Sequence, residues 1–309
     1  MPQISQIFTD FKQPLVVLSK KIIATIFCKY LNVVDLCTNY KKSVLSIFFI
    51  VLCFSSFAEN SDSCIVKLNK RYFKSYLKNT KDFFISPIKW NNNQWFTFIG
   101  FVGITEIIMS EDLNIQQYSQ KIRSTRTDNI VKYGFEPFGS GIYSMPLMAA
   151  FISHGLISKN KRGLRVGLLG IEAYLLSGVF VNIPKYLFNR HRPYHDKPSD
   201  PYIFDGPFTG DYYRSFFSGH TTSVFAVATI VASEYDDKPL VPILCYSIAT
   251  LSGYSRINDN KHWASDVFGG AVFGYVIGRL IYKNGCDKIK IIPSQTSKYS
   301  GVSIFYNLN

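Results

Sequence analysis

Six apolar stretches, at residues 95–109, 142–158, 164–189, 221–234, 240–254 and 262–282, recur along this chain with polar breaks between them. Runs of this length read as helices rather than strands, which seldom pass about ten residues. The expected fold is therefore all-α, a bundle of five or six helices. Several of the stretches fall short of the ~20 residues that cross a bilayer comfortably, and they carry isolated charges and His154. A compact bundle and the modest spans of a membrane protein both fit that pattern. The last stretch holds Gly270, Gly274 and Gly278 at four-residue spacing, one face of a helix that lets a neighbouring helix approach closely.

Around this core the chain divides into a first segment, residues 1–40, that carries no clear signal, and a second, 41–58. In the second, Lys41-Lys42 precedes an uncharged run ending Ser56-Phe57-Ala58 before Glu59. A basic start, an apolar middle and small residues at the end have the form of a secretory signal; an internal anchor is the alternative. Residues 59–135 lead into the core. Within them, residues 66–84 set Leu68, Tyr72, Phe73, Tyr76 and Leu77 at helical spacing against Lys67, Lys70, Arg71, Lys74, Lys78 and Lys81, a basic amphipathic helix for an anionic membrane surface or for packing on the domain. Residues 114–135 are polar and charged, a surface helix or connection. The core spans 136–285. In the tail, 286–309, Lys288-Ile289-Lys290-Ile291 and Val302-Ser303-Ile304-Phe305-Tyr306 alternate and predict a short β-hairpin turned back over residues 293–301. The polar loop 194–216, broken by proline and glycine, is placed to cover a site entrance.

The net charge of +13 suits anionic substrates or anionic lipid surfaces. It does not point to nucleic acid, because the cations of interest sit among apolar helices and not along a basic stripe. The six cysteines, Cys28, Cys37, Cys53, Cys64, Cys245 and Cys286, show no metal-ligand spacing and no disulfide framework.

Three clusters carry chemistry. Lys185 and Arg192 are two helical turns apart, and Pro193 argues that the helix ends at Arg192, which would offer its guanidinium fork to phosphate oxygens. The plainer reading is a basic helix end complementing the dipole. Ser218-Gly219-His220 reads as a turn feeding a helix N-terminus, where free N–H groups favour an anion and His220 could protonate a leaving alkoxide. An ordinary N-cap beside an exposed histidine fits equally well. Last, Ser255-Arg256 precedes His262 and Asp266, spaced i, i+4 at the start of the final helix. A carboxylate there can hold one ring nitrogen and leave the other free to attack, against the alternative of a surface His–Asp pair.

Together the clusters resemble the phosphatidic acid phosphatase type 2 superfamily, which also contains bacterial nonspecific acid phosphatases and vanadium haloperoxidases. That family's pattern, K-x6-RP, PSGH and SR-x5-H-x3-D, matches at Lys185, Arg192, Pro193, Ser218, Gly219, His220, Ser255, Arg256, His262 and Asp266. Phe217 stands where the family has proline, and a less rigid turn before Ser218 is expected. The resemblance implies that His262 is the nucleophile, Asp266 its orienter and His220 the leaving-group acid. It assigns Lys185, Arg192, Ser218, Gly219 and Arg256 to the phosphoryl oxygens, and it implies neither a metal nor another cofactor.

The expected activity is hydrolysis of phosphomonoesters or diphosphates through a phosphohistidine, with a membrane lipid phosphate as substrate. The protein would be membrane-associated, its site facing the periplasm or cell exterior. The alternatives are a soluble periplasmic acid phosphatase, a vanadate-dependent haloperoxidase on the same scaffold, and a catalytically silent membrane or structural protein. Substrate identity and oligomeric state are not written in these motifs.

Overall fold

The computed structural model describes residues 66, 68–209 and 213–285, together with the backbone of the strands at 289–296 and 299–306. All lie in one compact unit, residues 46–309. The segments expected at 1–40 and 41–58 lie outside the described residues, as do Cys28, Cys37, Cys53, Cys64 and Cys286; Cys245 is a free thiol.

Eleven α-helices follow in order among the described residues: α1 Lys70–Ile85, α2 Asn92–Ser110, α3 Asp112–Ile122, α4 Thr125–Ile130, α5 Glu136–Gly139, α6 Ser144–Ile157, α7 Lys161–Phe180, α8 Asn182–Phe188, α9 Gly219–Glu234, α10 Leu240–Asn258 and α11 Ala264–Asn284. Local chemistry sets several starts. Asn69 accepts from the backbone N–H groups of Arg71 and Tyr72 to open α1. Asn91 and Gln94 exchange bonds in a capping box on α2, and Asn160 caps α7 through Gly163. The polar stretch 114–135 folds as most of α3, α4 and a π-helical turn, Val131–Phe135.

Helix α9 forms the centre. It is buried on every side, from Thr221 through Val224, Val227 and Ile230 to Glu234, and it contacts α7, α10 and α11. Leu169, Ala173, Leu176 and Phe180 of α7 meet Ala226 and Ile230 of α9 and Ile277 and Ile281 of α11 in one apolar cluster. The α9–α11 contact depends on the glycine face. A Cβ at Gly270, Gly274 or Gly278 would lie 2.7, 2.2 or 2.7 Å from the carbonyl oxygens of Ser218, Thr222 and Ala226. Any side chain there would push the helices apart, and with them the two motifs that α9 and α11 begin.

The structure departs from the sequence reading at the segment expected as one helix over 164–189. It is two helices that break at Val181. Pro184 lacks the N–H that would bond the carbonyl of Phe180, so the ladder is interrupted there. The helix also stops at Phe188, short of Pro193. Asn189 is left-handed, at φ 42° and ψ 48°, and its side chain accepts from Tyr213 N and donates to Thr209. Arg192 therefore sits in a loop and not on the helix face of Lys185. The tail forms the expected antiparallel hairpin, β1 Ile289–Thr296 and β2 Tyr299–Tyr306, paired from Ile289↔Tyr306 to Thr296↔Tyr299. The strands run through most of the expected turn.

Among the described residues, Lys161–Phe188 and Ala264–Asn284 are long and apolar enough to cross a membrane; a third span results if Thr125–Gly139 and Ser144–Ile157, bent by 54°, count as one. Helix α2 turns Phe96, Ile99 and Ile107 outward, each more than 60% exposed.

Candidate active site

The start of α11 fixes the first pair. Asp266, in the helix's first turn, accepts from the backbone N–H of Trp263 at 2.9 Å, as an acidic residue at a helix start does. His262 precedes the helix by two residues, and its Nδ1 lies 3.5 Å from Asp266 Oδ2. Nε2 is the ring nitrogen left uncommitted to the carboxylate. The ring is 5% exposed. Burial holds the imidazole well below its ordinary pKa, Asp266 opposes that and Lys185 adds to it, so the ring is neutral and carries a lone pair at ordinary pH.

Ser218 caps α9 and is fully buried; its N–H donates to the backbone oxygen of Asp266 at 3.0 Å, tying the second motif to the third. Next to it, Gly219 faces Lys185, whose Cε would lie 3.7 Å from an added Cβ. Lys185 Nζ donates to the carbonyl of Arg214 at 2.9 Å. Arg192 Nε donates to the Tyr213 carbonyl at 3.0 Å. Arg256, 2% exposed at the end of α10, donates from Nε to Ser255 Oγ and from NH2 to Asp259 at 2.8 Å.

The residue before Ser218 is held by packing. Phe217 is buried against Phe101, Phe216 and Phe273, and a Cβ on Gly269 would lie 2.2 Å from its ring. Where the family has proline, this chain places an aromatic ring in a packed cluster.

These side chains meet at a cavity of about 590 Å³ lined by Glu136, Arg192, Tyr194, His220, Arg256, Asp259, Lys261 and His262. Of the eight residues singled out in sequence, Arg192, His220, Arg256 and His262 line it. Lys185, Ser218, Gly219 and Asp266 adjoin these residues, Ser218 bonded to Asp266 and Gly219 packed on Lys185. The cavity thus offers an uncommitted imidazole nitrogen among cations, an arrangement that can hold a tetrahedral anion and accept a group from it.

His220 faces the cavity from the first turn of α9, with Nε2 3.0 Å from Glu136 Oε1. Burial, then Arg256, depresses its pKa, and Glu136 works the other way. Glu136 also lies 3.7 Å from Arg256 NH1. Nothing in the local sequence distinguishes Glu136, at the start of a four-residue helix, from a solvated charge.

The sequence reading also missed Ser215, Arg190 and Asp112. Ser215 donates from Oγ to Asp266 Oδ2 and lies 3.4 Å from His262 Nδ1. Arg190 and Asp112, both fully buried, continue the network behind Asp266. A separate group gathers in the loop after α8. His191 Nδ1 and Nε2 lie 2.8 and 2.9 Å from Asp196 and Asp205, and His195 lies 3.0 Å from Asp196. Burial works against a charge on His191, but Asp205 and Asp196 outweigh it and raise its pKa. His191, His195 and Asp196 are the described residues spaced to gather a metal, yet none lines the cavity. The His191 carbonyl accepts from Trp263 Nε1 at 2.9 Å, which ties this loop to the start of α11.

Residues 167–289 match the PAP2 superfamily. The lipid A 1-phosphatase of Porphyromonas gingivalis is 36% identical over 141 residues, 45% of this chain and 28% of that one. The probable diacylglycerol pyrophosphate phosphatase 1 of Schizosaccharomyces pombe is 35% identical over 97 residues, 28% of this chain and 33% of that one. The chain thus spans about a third of the length of these curated relatives. Among solved structures, LpxE of Aquifex aeolicus is 26% identical, with a TM-score of 0.43 over 56% of this chain and 94% of that one.

Proposed function

We propose that this chain, residues 167–289 of which match the PAP2 superfamily, is a phosphatase of that family that hydrolyses the phosphomonoester or diphosphate of a membrane lipid through a phosphohistidine on His262. The observation that carries the reading is the neutral, buried His262, its Nδ1 3.5 Å from Asp266 and 3.4 Å from Ser215 Oγ, in a cavity walled by Arg192 and Arg256. In the first step Nε2 attacks phosphorus, a P–N bond forms and the P–O bond to the leaving group breaks. His220, protonated, gives the leaving oxygen its proton. In the second, His220 takes a proton from water as the oxygen attacks phosphorus, the P–N bond breaks and inorganic phosphate leaves. Asp266 steadies the positive charge that the ring acquires while phosphorylated. Lys185, Arg192, Arg256, Ser218 and Gly219 hold the phosphoryl oxygens and offset the charge that builds on them.

Lipid is the favoured substrate for two reasons. The apolar helices, and α2 with its outward Phe96, Ile99 and Ile107, suit a protein embedded in or lying on a bilayer, where phosphorylated head groups are abundant. Two relatives at about 35% identity are named for lipid phosphates. A site facing the periplasm or cell exterior follows if residues 41–58 direct export.

A panel assay on purified protein tests this. Lipid phosphates should turn over faster than short soluble esters, EDTA should leave the activity largely intact, and vanadate should inhibit, since its trigonal-bipyramidal adduct mimics the transition state. Preference for soluble esters would make it an acid phosphatase of the same family. Halide oxidation with vanadate and peroxide would make it a haloperoxidase. Loss with EDTA and recovery with Mg²⁺ would overturn the mechanism.

A further inference from the structure

Behind the carboxylate that holds His262 lies a second carboxylate, and one arginine joins them. Arg190 has no solvent exposure, nor have Asp112 and Asp266. All five guanidinium N–H groups are engaged: Nε donates to the Pro201 carbonyl, NH1 to Ser265 Oγ and Asp266 Oδ1 at 2.7 Å each, and NH2 to the Pro201 carbonyl and to Asp112 Oδ2 at 2.8 Å each. Asp112 Oδ1 accepts from Ser265 N at 2.9 Å, while Oδ2 accepts from Ser265 Oγ besides Arg190. Burial pushes the Asp112 carboxyl up. Arg190 and the hydroxyl and backbone N–H of Ser265 oppose that rise, and the ionised carboxylate accepts from all three.

The charges then decide what the arrangement does. Arg190 alone would fix Asp266 but draw on its negative charge, weakening its hold on a positive His262. Asp112 balances Arg190 locally. We infer that Arg190 and Asp112 are positioning residues that act through Asp266, forming a neutral buried pair that locks the carboxylate toward His262 while leaving it a full negative charge. The inference rests on the proposed phosphohistidine reading, since it assigns a purpose to the charge on Asp266.

A merely structural role for the pair predicts that each loss adds to the next. A charge-balancing role predicts the opposite. Asp112→Asn leaves Arg190 unbalanced, so kcat should fall by about 10- to 100-fold, the scale of outer partners that orient a histidine. KM and the inhibition constant of inorganic phosphate should stay within about two-fold, because the oxygen-binding cations are untouched. Arg190→Lys keeps the charge and loses the fork, so it should lower kcat less than that and leave phosphate inhibition unchanged. In Asp112→Asn/Arg190→Gln the net charge around Asp266 returns to that of the native protein, and kcat should recover above the Asp112→Asn value.

The assay uses the full chain with phosphatidic acid in detergent micelles and with p-nitrophenyl phosphate. An unchanged kcat in Asp112→Asn, a double variant slower than the single, loss of phosphate inhibition along with kcat, or failure of both single variants to fold would each overturn the inference. A native protein that turns over phosphate esters without a phosphoenzyme would instead overturn the reading beneath it, and would be seen before any variant is made.

Discussion

His262 and His220 share one cavity but are held in different ways, and the difference matches the parts proposed for them. His262 is nearly closed off, its Nδ1 side backed by Asp266, Ser215 and the buried Arg190. Its surroundings fix one orientation and keep the ring neutral, which suits a group that must attack along one line. His220 is about one third exposed and rests, among the described residues, on Glu136, itself part-exposed and shared with Arg256. An imidazolium there keeps one N–H on Glu136 and can present the other to a leaving oxygen. In the proposed mechanism, buried scaffolding orients the nucleophile, and a part-exposed carboxylate at the cavity wall tunes the acid.

Removing the acid should give the largest effect that still leaves chemistry to measure. His220→Ala should slow first-turnover release of the alcohol from an alkyl phosphate by about 10²- to 10⁴-fold while sparing first-turnover release of p-nitrophenol, a leaving group that needs little protonation. Equal loss on both esters would erase the distinction between the two histidines.

A second change reaches the scaffold of His262 through packing. Gly269→Ala would set a Cβ 2.2 Å from the Phe217 ring and should destabilise the protein by about 1–3 kcal/mol, the usual cost of overpacking. A melting curve in detergent would read this as a lowered Tm. An unshifted Tm would mean that Phe217 is not wedged against α11 as described.

The smallest effect sharpens the acid's side. Glu136 raises the pKa of His220 against the depression from burial and Arg256. Glu136→Gln removes that support, so the pKa falls further and the protonated fraction at a given pH falls with it. The basic limb of kcat/KM for an alkyl phosphate should move to lower pH, while the profile for p-nitrophenyl phosphate stays in place. A limb that stays put, or rises, would show that Glu136 does not tune His220.

Much of this site could be read from the sequence because its chemistry is carried by local spacing. His262 and Asp266 lie close because Asp266, in the first turn of α11, folds back to the N–H of Trp263 next to His262, and Ser218-Gly219 announces a helix start whatever surrounds it. The helices were legible for the same reason, as long apolar runs. Partners distant in sequence were not. Glu136 and His220 are 84 positions apart and Asp112 and Arg190 are 78, so only the packing of α3, α5 and α9 reveals them. Arg190 was hidden in a second way, since in Asn189-Arg190-His191-Arg192 nothing tells the fully buried guanidinium from the one that reaches the cavity. The early end of α8 was hidden too, because Asn189 takes its left-handed turn to hold Tyr213 and Thr209 across the loop.

The central claim is that the phosphoryl group passes through His262, and trapping it is the direct test. The protein would be mixed with ³²P-labelled lipid phosphate, quenched in alkali, where a phosphohistidine survives, and mapped by peptide. The account predicts label on the peptide holding His262 in the native protein, loss of both label and turnover in His262→Ala, and a labelled but slower Asp112→Asn. Turnover without label in the native protein, or an active His262→Ala, would contradict it.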